Sequence, residues 1–307
     1  MEGLAGGTLA SLSLRNVDVQ APNGMTTLGQ FAIENVDARA YLNFLEDDAA
    51  VDAFVKDERS VGQMLSRLPR GTLRVEDFHV KKAEEDNRIG GFHFSLVGPY
   101  DKMLERVELV WSDFDIALTP GDDAAELLAP LGIERLKGKA GLVMSTDPAA
   151  RTARLERLSV DLDRLYAVEA TGETGPMDLE GLAKATDAAS LKGPLDSVTL
   201  KTLNLKVSDR DGGIERFLTV LAEEEGFDLE TFKQGLATQA QMLGVLFLGE
   251  AAAEVVPALL AFIEDPKNIT ITATPKDPDQ PLTELIGEVQ ADPAALPDLV
   301  NFKAIAE

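Results

Sequence analysis

The feature that most constrains this chain is a recurring strand phrase, in which two apolar residues alternate, two polar residues intervene, and two more apolar residues alternate. It occurs as Leu12-Leu14/Val17-Val19, Phe31-Ile33/Val36-Ala38, Leu73-Val75/Phe78-Val80, Leu109-Trp111/Phe114-Ile116, Ala153-Leu155/Leu158-Val160 and Val198-Leu200/Leu203-Leu205. Side chains alternate faces along a regular strand, so a two-residue polar spacer flips the apolar set to the other face. Each copy therefore predicts a bulge or a strong twist in mid-strand, and the polar pairs Glu76-Asp77, Ser112-Asp113 and Lys201-Thr202 are the expected positions. Copies after the second recur roughly every 40 residues, room for one strand plus a return strand or a short helix.

The connections agree with an antiparallel repeat. Pro22-Asn23-Gly24 separates the first two copies, and Asn-Gly is a hairpin signal because both residues tolerate positive φ. Return strands are expected at 91–97, 140–145 and 166–171. A capping box at Ser60 and Gln63 opens a short helix that carries Val61, Met64, Leu65 and Leu68 and stops at Pro69. A second short helix is expected from Asp123 to about Leu131.

From Gly213 onward the periodicity is helical. Ile214, Phe217, Leu218 and Leu221 make one stripe, and Asp228 can cap the next helix through Leu248. A third helix runs from about Glu250 to Glu264, with a kink or fresh start at Pro257. Ile269 to Ala273 reads as a strand returning to the sheet, and a final strand runs to Ala306. The fold class expected is α+β, an elongated, twisted, repeat-like antiparallel sheet of eight or so strands over residues 1–208, with a C-terminal helical cap over 209–307. One sheet face should pack under the helices that carry Phe217, Leu221, Leu243 and Phe247.

Composition narrows the function classes. The 53 acids outnumber 29 bases for a formal charge of −24, with no basic block, which makes nucleic acid and anionic membrane surfaces poor partners for the molecule as a whole. No cysteine is present, which excludes disulfides, thiolate metal sites and cysteine nucleophiles. The first residues, Met1 to Gly7, show neither a basic n-region nor an apolar h-region, so the chain reads as cytosolic or as a mature or trimmed form. The longest apolar stretch, Met242 to Phe262, is interrupted by Glu250 and Glu254 and carries Pro257, which argues for buried helices and against a transmembrane segment.

Motifs for catalysis are weak. His79 and His93 read as solvent-facing strand residues, and no Gly-x-Ser-x-Gly turn supplies a nucleophile. The run from Gly132 to Ala140 has one residue too many for a phosphate loop and lacks the terminal hydroxyl, so it reads as a helix-to-strand connection. Asp209, Asp211 and Glu215 around Gly212-Gly213 lack the further oxygens of a calcium loop and read as a polar turn capping the helix at Ile214. Glu84-Glu85-Asp86 reads as a solvated hairpin tip. No catalytic residues, metal or cofactor are expected.

The stretches Leu131-Gly132-Ile133-Glu134-Arg135-Leu136-Lys137-Gly138, Leu195-Asp196-Ser197-Val198-Thr199-Leu200 and Phe262 to Ile271 resemble uncharacterised envelope proteins of alphaproteobacteria. Those proteins are similar in turn to the AsmA-like group, whose repeated β-strand units form an elongated groove associated with lipid movement between membranes. The family's usual signal or anchor is not seen here. The resemblance implies a periplasmic, non-enzymatic protein of lipid binding or lipid transport that takes a phospholipid or fatty acid and engages an envelope protein partner. With the strand pattern it makes Phe92, Phe94, Trp111 and Phe114 the candidate lipid contacts, Trp111 and Phe114 being expected on opposite faces of one strand, as are Val75 and Phe78. The alternative is a structural or interaction protein whose groove is filled by its own helices and whose acidic surface docks a basic partner.

Overall fold

The structure is a computed structural model that describes residues 2–39, 42, 68–82, 85–99, 104–119, 121, 123–184 and 188–307. The helix expected from Ser60 to Leu68 lies outside the described residues except for Leu68, and Glu84 lies outside them too.

One twelve-stranded sheet runs through the chain in sequence order, every strand antiparallel to the next. The strands are β1 (Glu2–Ala5), β2 (Thr8–Ala21), β3 (Gly24–Asp37), β4 (Arg70–Lys82), β5 (Asp86–Val97), β6 (Arg106–Ala117), β7 (Arg135–Asp147), β8 (Thr152–Leu162), β9 (Tyr166–Thr174), β10 (Leu200–Asp209), β11 (Asn268–Pro275) and β12 (Val300–Ala306). Each copy of the strand phrase falls on a different strand, β2, β3, β4, β6, β8 and β10, with Ala38 just past β3 and Val198 just before β10, and β5, β7 and β9 are return strands. The α+β class and the elongated antiparallel sheet are as the sequence predicts, with ten strands through Asp209 where about eight were expected. The short β1 has no apolar alternation to announce it. The β2–β3 hairpin closes around Pro22 and Asn23, with Ala21 paired to Gly24. Neither Asn23 nor Gly24 takes the positive φ that Asn-Gly permits.

The mid-strand irregularities fall on the polar spacers. Asn16, Asn35, Asp77 and Asp113, the second spacer residue of the first four copies, all have φ between 50° and 53°. Asn and Asp visit this left-handed region at low cost because a short polar side chain can bond its own backbone. Register shifts at Trp111/Phe114, Leu155/Leu158 and Leu200/Thr202 place a bulge in the fourth, fifth and sixth copies. Glycines stand opposite the left-handed residues. A Cβ on Gly29 would lie 2.9 Å from Cβ of Asp77, and one on Gly90 would lie 2.9 Å from Cβ of Asp113. The crease across β2 to β6 thus alternates Asn or Asp with Gly because the kinked backbones approach too closely for a second side chain.

Among the described residues the bounded helices are α1 (Asp123–Leu128), followed by a 3-10 turn (Ala129–Leu131), then α2 (Leu179–Lys184), α3 (Ala188–Asp196), α4 (Gly213–Glu224), α5 (Leu229–Leu248), α6 (Ala252–Glu264), α7 (Leu282–Ala291) and α8 (Leu296–Leu299). Gly132, at φ 67°, ends the 3-10 turn and leads into β7, so the run to Ala140 is a helix-to-strand connection. Asp209 accepts from the amides of Gly212 (2.6 Å) and Ile214 (2.7 Å) and so caps α4. Asp228 accepts from the Thr231 amide at 2.9 Å and caps α5. A small core forms where Leu131, Ile133 and Leu165 pack with Leu128, Leu136, Leu162 and Val220. At the far end of the sheet α6 lies on β12 and β11, where Val255, Val256, Ile269 and Val300 are buried.

Candidate functional site

Strand register fixes the two faces of the sheet. Residues directly opposite each other in antiparallel strands share a face, as do residues i and i+2 within a regular strand. One rung runs Leu14–Phe31–Val75–Phe92–Trp111–Ala140–Val160–Val168–Val207–Ile269–Ala306, through every strand from β2 to β12. The next runs Leu12–Ile33–Leu73–Phe94–Leu109–Leu142–Leu158–Ala170–Leu205–Ile271–Ala304. A third begins at Leu96 and continues through Val107, Met144, Leu155, Gly172, Leu203 and Ala273 to Phe302. These three rungs are two residues apart within each strand, apart from the bulge in β8, and make one apolar face.

The crease decides whether the apolar residues beyond it join that face. Phe78, Ile89 and Phe114 pair in turn and lead to Gly138 on β7, while Val75, Phe92 and Trp111 lead to Ala140. Gly138 and Ala140 are two apart in a stretch where β7 pairs residue by residue with β8 without interruption. Trp111 and Phe114 therefore lie on the same face, as do Val75 and Phe78, contrary to the expectation that the spacer flips the apolar set. The left-handed Asp113 adds the extra residue that restores the alternation, so the spacer keeps the apolar set together.

The candidate lipid contacts Phe92, Phe94, Trp111 and Phe114 all belong to this face, and the Phe92 and Trp111 rings meet at a centroid distance of 5.2 Å, tilted by 48°. Much of the face is open to solvent. Trp111 is 37% exposed, Leu158 47% and Leu14 53%, and Met144, Val160, Leu203 and Leu205 are likewise exposed. The helices flank the face at its ends. The expectation that Phe217, Leu243 and Phe247 lie packed under the sheet is overturned, since all three are exposed. Met242 to Phe262 forms helices as read, but the burial expected of them holds only for the α6 side that carries Val255 and Val256, and Met242 is 64% exposed. These helices are held at their base by Lys233, a buried residue whose Nζ donates to the Glu264 carbonyl at 2.9 Å. Those apolar side chains stand in solvent and do not close the face.

The opposite face is charged and knits the strands together. Asp115 accepts from Arg135 at 2.6 Å and lies 3.1 Å from Lys137, and Glu173 bridges Lys201 and Arg154 at 2.8 and 3.0 Å. Arg210 donates both guanidinium arms to Asp161 at 2.7 and 3.0 Å. That fork holds the Asp161 carboxyl below the ordinary carboxylate range. His79 is bonded to Asp86 at 2.7 Å, so it is a cross-strand partner and not a free solvent-facing group. The bond to His79 likewise lowers the Asp86 carboxyl. A concavity of about 780 Å³ lies on this charged side, lined by Lys137, Lys139, Asp161, Arg164 and Arg210. It is an open cleft between paired ions. Among the described residues no three His, Asp or Glu side chains converge as metal ligands.

A family model described only as an uncharacterised protein matches residues 159–307, just under half of the chain. That match begins inside β8 and spans β9 to β12 with helices α2 to α8. No curated protein matches the chain.

Proposed function

We propose that the protein binds acyl chains of a phospholipid or fatty acid along the apolar face of its sheet and handles lipid in the cell envelope without chemical turnover. The observation that carries this reading is the continuity of the apolar rungs on one face, which among the described residues α6 covers at β11 and β12 and which holds exposed apolar side chains from β2 to β10. Eight inter-strand steps from β2 to β10 give an open floor roughly 38 Å long, and from β5 onward three rungs give a width of roughly 13 Å. One leaflet of a bilayer core is about 15 Å deep, so the floor accommodates an extended acyl chain with length to spare. Such a chain contributes about 0.8 kcal/mol for each methylene it buries, enough to retain a lipid at micromolar affinity after ordering costs. The likeness of the strand repeat to AsmA-like grooves points the same way, and on that likeness the location is the periplasm. An interaction protein would need its own helices over this face, and among the described residues α6 covers it only at β11 and β12.

Trp111 is the sole tryptophan and stands in the middle of the floor, so it reports occupancy directly. Protein purified without detergent is expected to carry lipid in native mass spectra, and a nitroxide-labelled fatty acid is expected to quench Trp111 at micromolar concentration. Bare protein, with no quenching below about 100 μM, or roughly 5.5 kcal/mol on the affinity scale, would sink the proposal.

A further inference from the structure

The last two turns of α5 are exposed, apolar and uncharged. Val245 is 73% exposed and Leu246 64%, and Met242, Leu243 and Phe247 are exposed beside them. From Gln234 to Gly249 the chain carries no charged residue. At 100° per residue these five side chains sweep an arc of about 200°, twice the stripe that a helix presents to a protein core. The remaining arc is taken by Gly244, which is buried against Val256 of α6. The most apolar 18-residue window between Leu229 and Glu264 has a mean hydropathy of 1.9, with 11% of it buried.

We infer that this end of α5 docks on a lipid bilayer, with Met242, Leu243, Val245, Leu246 and Phe247 in the acyl boundary. A protein groove or a second helix covers one side of a helix, whereas only a surrounding apolar medium satisfies so wide an arc with no polar rim. Residues 242–248 rise about 10 Å along the helix, far short of a bilayer crossing. The helix breaks at Gly249 (φ 51°), and Glu250 and Glu254 follow at once. A tip-first insertion would carry Glu250 deepest, so α5 lies along the interface with these carboxylates turned toward the headgroups. The protein's charge of −24 opposes anionic lipid, which makes a zwitterionic surface the preferred one. This surface is separate from the trough, and the inference holds whether or not the trough takes lipid.

The test is flotation of the full chain with phosphatidylcholine vesicles. Wild type is expected to float, with little change between low and high salt, and to float less when phosphatidylglycerol is added. The double variant V245D/L246D is expected to lower the floated fraction at least tenfold, and its folding is safeguarded because both side chains are already in water. F227D, at an exposed residue just before the other end of α5, should float as wild type does. W111D should also float, so failure of the trough reading and failure of this one give different patterns. Wild type that stays at the bottom of the gradient, or V245D/L246D that floats unchanged, overturns the inference. So does a wild-type dimer in light scattering that V245D/L246D makes monomeric, since the patch would then be a contact between copies.

Discussion

The sheet floor and the end of α5 both leave large apolar side chains in water, but they do so in opposite shapes. The floor is one face of a sheet whose other face is charged, so its apolar residues lie side by side in rungs and can line a chain-like ligand. The helix end is convex and apolar over about 200°, so no single chain can cover it. Composition alone would treat the two alike, since both read as hydrophobic runs that ought to be buried. The difference teaches that the geometry of an uncovered apolar surface, more than its amount, selects what can satisfy it.

The comparison breaks most sharply at Trp111. W111D places a carboxylate on the floor, and quenching titrations cannot follow it, so displacement of a fluorescent fatty acid is the measurement. Affinity is expected to fall by about 100-fold, roughly 2.7 kcal/mol, while V245D/L246D binds the probe as wild type does. Equal loss in both variants would mean that floor and helix end form one site.

Gly244 sharpens the same contrast from the helical side. A Cβ there would meet Cγ2 of Val256 at 2.3 Å, so G244L must push α5 and α6 apart. A loss of about 1–3 kcal/mol in urea unfolding is expected, with fatty-acid binding to the floor preserved. If the floor loses its ligand as well, the hairpin is part of the trough.

The crease offers a smaller effect within the sheet. Asp113 sits at φ 52°, which a β-branched residue tolerates poorly, so D113V should cost about 1–2 kcal/mol, and D113N very little. The partial strand slip should also weaken probe binding near Phe114. Stability unchanged in D113V would show that the left-handed kink does not set the phase of the apolar face.

Smallest is the charged face. The folded Asp161 carboxyl is held below its unfolded value by Arg210, so its contribution is complete above the unfolded range and is lost as pH falls through the folded one. Relative to wild type, D161N should be less stable by about 1 kcal/mol at neutral pH, and that gap should close in acid, as read by urea midpoints from pH 7 down to pH 2. Probe binding on the opposite face should not change.

Much of this molecule was legible in its residues. The polar spacers announced the irregularities, and Asn16, Asn35, Asp77 and Asp113 could have been recognised further as left-handed positions because Asn and Asp are the side chains that tolerate them. Asp209 and Asp228 marked the helix starts, and the alternation at 269–273 marked β11. Phe92, Phe94, Trp111 and Phe114 could be chosen as a group, since apolar alternation is a local property. Their common face could not, because one extra residue in a bulge reverses the phase of everything after it, and only pairing with the regular β7 counts that residue. Nor could the fate of 242–247 be read in advance. Hydrophobicity states that a side chain gains by leaving water, whereas which surface is near enough to cover it depends on where α6, the helix that follows α5, settles on β12, a strand far along the chain.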